Sequence, residues 1–93
     1  MIIKKTKFKD LIIIQNNKFS DRRGSFKELF KGKLLKKNLP FVVTSFSRKH
    51  VIRGLHIQLK KPQGKFVSVI KGKIFDVCLD LRPRSKTFGN FSI

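Results

Sequence analysis

KFVSVIKGKIFDVCLDL, residues 65–81, holds two apolar runs separated by Lys71-Gly72-Lys73. β-Branched and aromatic residues dominate both runs, as a pleated, half-buried surface favours, and a glycine-centred tripeptide between them is a tight-hairpin signal. The pattern predicts strands over 65–70 and 74–81. Along the second, period-2 alternation places Phe75, Val77, Leu79 and Leu81 on one face and Ile74, Asp76, Cys78 and Asp80 on the other. The first reads as a packing face. The second gathers two of the chain's five acidic residues beside its one cysteine.

The same signals continue on both sides of this stretch. Residues 59–64, with Pro62 and Gly64, read as a loop, and 51–58 and 41–47 read as strands. Leu29, Phe30, Leu34, Leu35 and Leu39 stand at partly helical spacing, and Gly32 and Pro40 confine any helix to about two turns over 29–37. Residues 25–30 suit a short strand or the start of that helix. Nearer the beginning, 11–15 is a short apolar strand closed by the polar cluster Gln15-Asn16-Asn17-Lys18. On the other side, Arg82-Pro83-Arg84-Ser85 breaks the pattern and 88–93 opens a further strand. Many short strands at close spacing predict an antiparallel sandwich or barrel. The final strand would leave an unpaired edge, so the domain reads as cut short.

Composition sets the outer limits. A chain of 93 residues allows one small domain, and 40% hydrophobic residues can supply its core. Lys and Arg number 23 against 5 acidic residues, a net charge of +18, which favours anionic partners. The richness in Leu, Ile, Val and Phe excludes an acidic disordered tail. One cysteine excludes an internal disulfide framework and fits a reducing compartment, here the cytoplasm. Leu11-Ile12-Ile13-Ile14 is far shorter than a spanning helix or a signal-peptide core, even with Lys4, Lys5, Lys7 and Lys9 before it, so no membrane association is expected.

Three segments carry more than composition. Phe19 to Glu28 reads F-x-D-x-R-G-x-F-x-E, Arg53 to Gln58 reads R-G-L-H-x-Q, and Gln63-Gly64-Lys65-Phe66-Val67 precedes Gly72-x-Ile74-Phe75-Asp76-Val77, Asp80-Leu81-Arg82 and Ser85-x-Thr87-Phe88-Gly89. In this order the set resembles the dTDP-4-dehydrorhamnose 3,5-epimerase family. The resemblance implies a mostly-β, cupin-like jelly roll, with residues 1–93 forming a single partial domain, its N-terminal half. It also implies chemistry at the carbons beside a C4 ketone: a base removes a proton, the enolate is held electrostatically, and an acid returns a proton to the opposite face. Neither a metal nor a redox cofactor is required for that reaction.

Residue by residue, the resemblance makes His56 the catalytic base and Lys65 the cation that stabilises the enolate oxygen. Arg53 and Gln58 fall among the substrate-binding positions. Arg23, Phe26 and Glu28 match a segment that contributes to the nucleotide-sugar site across a dimer interface, with Arg23 serving the diphosphate. Asp76 and Asp80 match acids expected to act structurally or behind the substrate contacts. The implied partners are a dTDP-sugar substrate and either a second copy or the missing second half.

Two departures stand out. The family's Q-x-N-x-S strand before R-G-L-H is here Val43-Thr44-Ser45-Phe46-Ser47, without either amide, and the family's general acid, a tyrosine, has no counterpart because the chain contains no Tyr. A related single-position epimerase or ketoisomerase of dTDP-sugars fits the altered strand. The +18 charge and ten Phe leave a small basic nucleic-acid-binding β-protein as the reading of another class. A metal-binding cupin is disfavoured, since His50 and His56 are the only histidines.

Overall fold

The computed structural model describes residues 1–34 and 38–93. Every regular element among them is a strand, consistent with a mostly-β cupin-like domain. The short helix expected over 29–37 falls partly on residues 35–37, outside the described residues; 29–34 form no helix, only a turn beginning at Gly32.

Each sheet is a two-stranded antiparallel pair. Strands β1 (Ile2–Lys5) and β2 (Ile12–Gln15) pair with Ile3 opposite Ile14. The Thr6 hydroxyl organises their connection, donating to the Leu11 carbonyl at 2.7 Å and accepting from the Phe8 amide at 3.1 Å. That tight turn buries Phe8 to 5% exposure, the one buried apolar side chain among the described residues, with the Lys7 ammonium 5.2 Å from its ring centroid. Strands β3 (Lys18–Asp21) and β4 (Gly24–Lys27) follow, joined by Arg22 and Arg23. The Asp21 carboxylate closes this loop by accepting the Arg23 amide at 2.8 Å, as short acidic side chains do in turns.

The third pair, β5 (Cys78–Leu79) with β6 (Phe91–Ser92), is short, and its connection is built around one carboxylate. Asp80 accepts from the Arg82 amide and Nε at 3.0 Å each, from Ser85 Oγ at 2.6 Å and from Thr87 Oγ1 at 2.6 Å. Arg82 also reaches Asp10 Oδ2 at 2.6 Å, linking this loop to the β1–β2 connection 72 residues away.

The chain divides into two compact units: Met1–Lys31 with Val69–Ile93, and Gly32–Ser68. Within Gly32–Ser68, turns fall where the sequence suggests. The Val51 amide bonds the Arg48 carbonyl at 3.3 Å, and the Gln58 side-chain amide donates to the Lys61 carbonyl at 3.1 Å. The segments beside these turns are not strands, however. The ladders expected over 41–47, 51–58, 65–70 and most of 74–81 are absent from the described residues. A strand is completed by a facing row of N–H and C=O groups, and no described segment presents that row to them. Gly72 takes the left-handed backbone, φ +91°, that a hairpin turn calls for, yet its flanks do not pair.

The face of 74–81 expected to pack is not buried. Phe75 is 77% exposed whereas Asp80 is buried, because the Asp80 hydrogen-bond network, not apolar packing, closes this region. On that inner side, burial pushes the Cys78 thiol above its ordinary value of 9.0, and the Asp76 carboxylate adds to the shift.

Two outcomes are expected. The Arg82 guanidinium, then Ser85 and Thr87, hold the Asp80 carboxyl far below its ordinary 3.8. A carboxyl depressed in the folded state contributes stability above its unfolded value and loses it as pH falls through the folded one. Protection factors of the Asp80 and Gly89 amides should therefore be level above about pH 5 and decline in acid. In Asp80→Ala they should be lower by on the order of tenfold at every pH, as amide exchange would read. At pH 8, iodoacetamide should alkylate Cys78 more slowly than an unhindered thiol, with Asp76→Asn raising the rate modestly.

Candidate functional site

The expected site residues fall into two groups, one in each unit. Arg23, Phe26 and Glu28 lie on and just after the β3–β4 hairpin. Its register sets Phe19 directly opposite Phe26, and with Asp21 and Arg23 the two rings line a shallow concavity. Both rings are exposed, Phe19 at 63% and Phe26 at 69%, leaving an aromatic platform facing solvent. Phe19 was not among the expected site residues. The signal for it was present: a two-residue loop between Asp21 and Gly24 dictates that residues 19 and 26 face each other.

Arg23 is not idle in this arrangement. Its Nε and Nη2 donate to Asp21 Oδ2 at 3.2 and 2.8 Å, and this pairing holds the Asp21 carboxyl below the ordinary carboxylate range. A guanidinium carries five donor hydrogens, so three remain for an anion. Glu28 stands at the end of the hairpin, its amide bonding the Asn17 carbonyl at 3.4 Å and its carboxylate 3.6 Å from Lys31 Nζ. Such an exposed ion pair contributes little stability. Asp76 and Asp80 belong to the same unit but differ in setting. Asp76 is exposed, whereas Asp80 is buried among its donors.

Arg53, His56, Gln58 and Lys65 all lie in Gly32–Ser68. Arg53 Nη2 donates to the Phe46 carbonyl at 2.9 Å, fixing the chain just before His56. Gln58 spends one amide hydrogen on the turn at Lys61. His56 and Lys65 are both exposed. This unit contains no Asp or Glu at all, so nothing within it can neutralise Lys65 or pair with the His56 ring as a carboxylate. Around an anion, that is a favourable field: Arg53, Lys60, Lys61 and Lys65 attract negative charge without competition from within the unit. Among the described residues, no group of three or more His, Cys, Asp or Glu could hold a metal ion, and no helix is long and apolar enough to cross a membrane.

Comparison with known proteins places these motifs. The family model described as dTDP-4-dehydrorhamnose 3,5-epimerase matches residues 5–93. A protein of that name from Methanothermobacter thermautotrophicus is 44% identical over 93 residues, covering 95% of this chain and 50% of its own. A Shigella flexneri protein of the same name is 39% identical over 98 residues, 98% of this chain and 54% of its own. One from Neisseria gonorrhoeae is 39% identical over 92 residues, 94% of this chain and 28% of its own. No solved structure matches. The chain spans about half the length of most of these curated relatives. With the match running through both groups of site residues and almost from end to end, the chain belongs to the dTDP-4-dehydrorhamnose 3,5-epimerase family.

Proposed function

We propose that the chain is part of a nucleotide-sugar epimerase of dTDP-rhamnose biosynthesis, acting on a dTDP-4-dehydro-6-deoxy sugar and carrying the proton-abstracting half of the reaction. The observation that supports this most is the family match across residues 5–93, which includes R-G-L-H-x-Q at Arg53–Gln58 and the lysine at position 65. The C4 ketone of such a substrate acidifies the protons at C3 and C5. His56 takes one of them. Negative charge then collects on the ketone oxygen, where the ammonium of Lys65 lowers the barrier, undiminished by any carboxylate of its own unit.

Recognition of the nucleotide falls to the β3–β4 hairpin: Arg23 for the diphosphate, the Phe26 ring for a planar or sugar face, and Glu28 for a polar contact. Arg53 and Gln58 contribute beside His56. Asp76 and Asp80 serve the fold around the hairpin. On this reading residues 1–93 are one partial cupin-like domain working in the cytoplasm, completed by a second half or by pairing into a homodimer. The carboxylate that orients His56 and the acid that reprotonates the sugar come from outside Gly32–Ser68, and the acid is not a tyrosine of this chain.

Base and enolate stabiliser without the acid should produce isotope exchange rather than inversion. The 93-residue chain, incubated with dTDP-4-dehydro-6-deoxyglucose in D2O, should incorporate deuterium slowly at C3 or C5 with little net epimer, as mass spectrometry and NMR would read. His56→Ala should abolish the exchange. Lys65→Ala should slow it by about 10²–10³-fold, the usual cost of one electrostatic stabiliser. Robust epimerisation by this chain, or exchange that survives His56→Ala, would overturn the assignment.

A further inference from the structure

Successive pairs along the β3–β4 ladder alternate between the two faces of the ribbon, so the Phe19–Phe26 pair shares a face with Asp21 and Gly24. Directly opposed side chains have β-carbons about 4.5–5.5 Å apart, which makes the two exposed rings immediate neighbours. On the same face the Asp21 carboxylate holds the Arg23 guanidinium, through Nε at 3.2 Å and Nη2 at 2.8 Å. A pre-oriented cation therefore stands beside a pair of phenyl rings. The open concavity that these residues line, about 570 Å³, has the size of a small-ligand site.

We infer that Phe19 is a nucleobase-binding residue, and that the platform it forms with Phe26 accepts the bases of different nucleoside diphosphates alike. The inference deepens the reading of this hairpin as the nucleotide-recognition element and rests on it. Every base has a π-face that stacks on an aromatic ring, so a pair of phenyl groups holds a base without reading its identity. Identity is read by donors and acceptors fixed at the base edge, and phenyl rings carry none. The rest of the lining supplies no such pattern. The hydroxyls of Ser20 and Ser25 donate or accept as a partner requires. Both oxygens of Asp21 are engaged, Oδ1 by the Arg23 amide at 2.8 Å and Oδ2 by the guanidinium. Charge supplies the other half of recognition. Arg23 has donor hydrogens to spare, and Lys18 and Lys27 face each other one position from the rings, against the single carboxylate of Asp21. The hairpin thus suits a flat group joined to a diphosphate, whichever base that group is.

The test titrates dTDP, UDP and ADP separately into the 93-residue chain at physiological salt, with Phe19→Leu alongside. The three dissociation constants should agree within about tenfold, as stacking without edge contacts allows. Phe19→Leu keeps an apolar side chain at an exposed position and should weaken all three by about tenfold, the loss of one stacking ring. Inorganic pyrophosphate carries the charge without a base, so it should bind the variant as it binds the parent chain. In the parent chain the base protons should shift upfield on binding and show nuclear Overhauser effects to the rings of both Phe19 and Phe26, a readout that needs no variant to fold. Nucleotide affinity unchanged in Phe19→Leu, or ring contacts from Phe26 alone, would overturn the role of Phe19. A preference among the three nucleotides greater than about tenfold would overturn the tolerance of bases. Nucleotide binding needs no ketone, so the two readings fail separately. Nucleotides held this way by a chain that exchanges no deuterium into the sugar leave the platform standing and sink the epimerase reading; exchange with no contact to Phe19 does the reverse.

Discussion

A carboxylate taken out of water is costly unless its lone pairs find donors, and Asp80 meets that requirement with almost everything near it. Arg82, Ser85 and Thr87 all point their donors at one side chain, and the loop between β5 and β6 takes its shape from satisfying them. Because Arg82 also holds Asp10, the same carboxylate indirectly ties the last hairpin to the first. Apolar packing has a minor part here: among the described residues only Phe8 is a buried hydrophobic side chain. Met1–Lys31 with Val69–Ile93 is thus organised by a polar network, and the β5–β6 ladder, two residues long on each strand, depends on it.

Charge is distributed with similar economy. Of the five acidic residues, Asp21 and Asp80 each hold an arginine two positions later, Asp10 shares Arg82, and Glu28 faces Lys31. Asp76 acts on Cys78 at a distance. Gly32–Ser68 contains none of them in its sequence. Arg23 shows the intermediate case, a guanidinium pre-oriented by Asp21 yet with donors to spare. Such pre-orientation reduces the side-chain entropy that anion binding would otherwise cost.

Much of this was legible beforehand, for local reasons. The apolar run at 11–15 became β2, the polar cluster after it became the turn into β3, and 88–93 contains β6, because each is decided by neighbours in sequence. Strand character over 41–47, 51–58 and 65–70 was read from composition, but pairing is not a property of one segment, and the required partners are not among the described residues. The burial of Asp80 within 74–81 has a different origin. Alternation identifies two faces without saying which one turns inward, and Asp80 turned inward because Ser85 and Thr87, five and seven residues on, supplied hydroxyls that no hydropathy pattern weighs. For the candidate site, R-G-L-H-x-Q is the stretch from which the reading of His56 comes. Phe19 could have been found from the hairpin register alone.

The Asp10–Arg82 bond has a consequence for how the molecule comes into being. Its two ends are 72 residues apart, so closing that loop costs about 4 kcal/mol of chain entropy beyond a constant. During synthesis at roughly 5–20 residues per second, the β1–β2 hairpin leaves the ribosome some 4–15 s before its tether exists. The opening segment must wait as an isolated two-stranded ribbon, marginal on its own in water. The tether therefore forms only once residue 82 has been made, and any factor that shelters nascent chains meets the basic segment before it without its stabilising arginine.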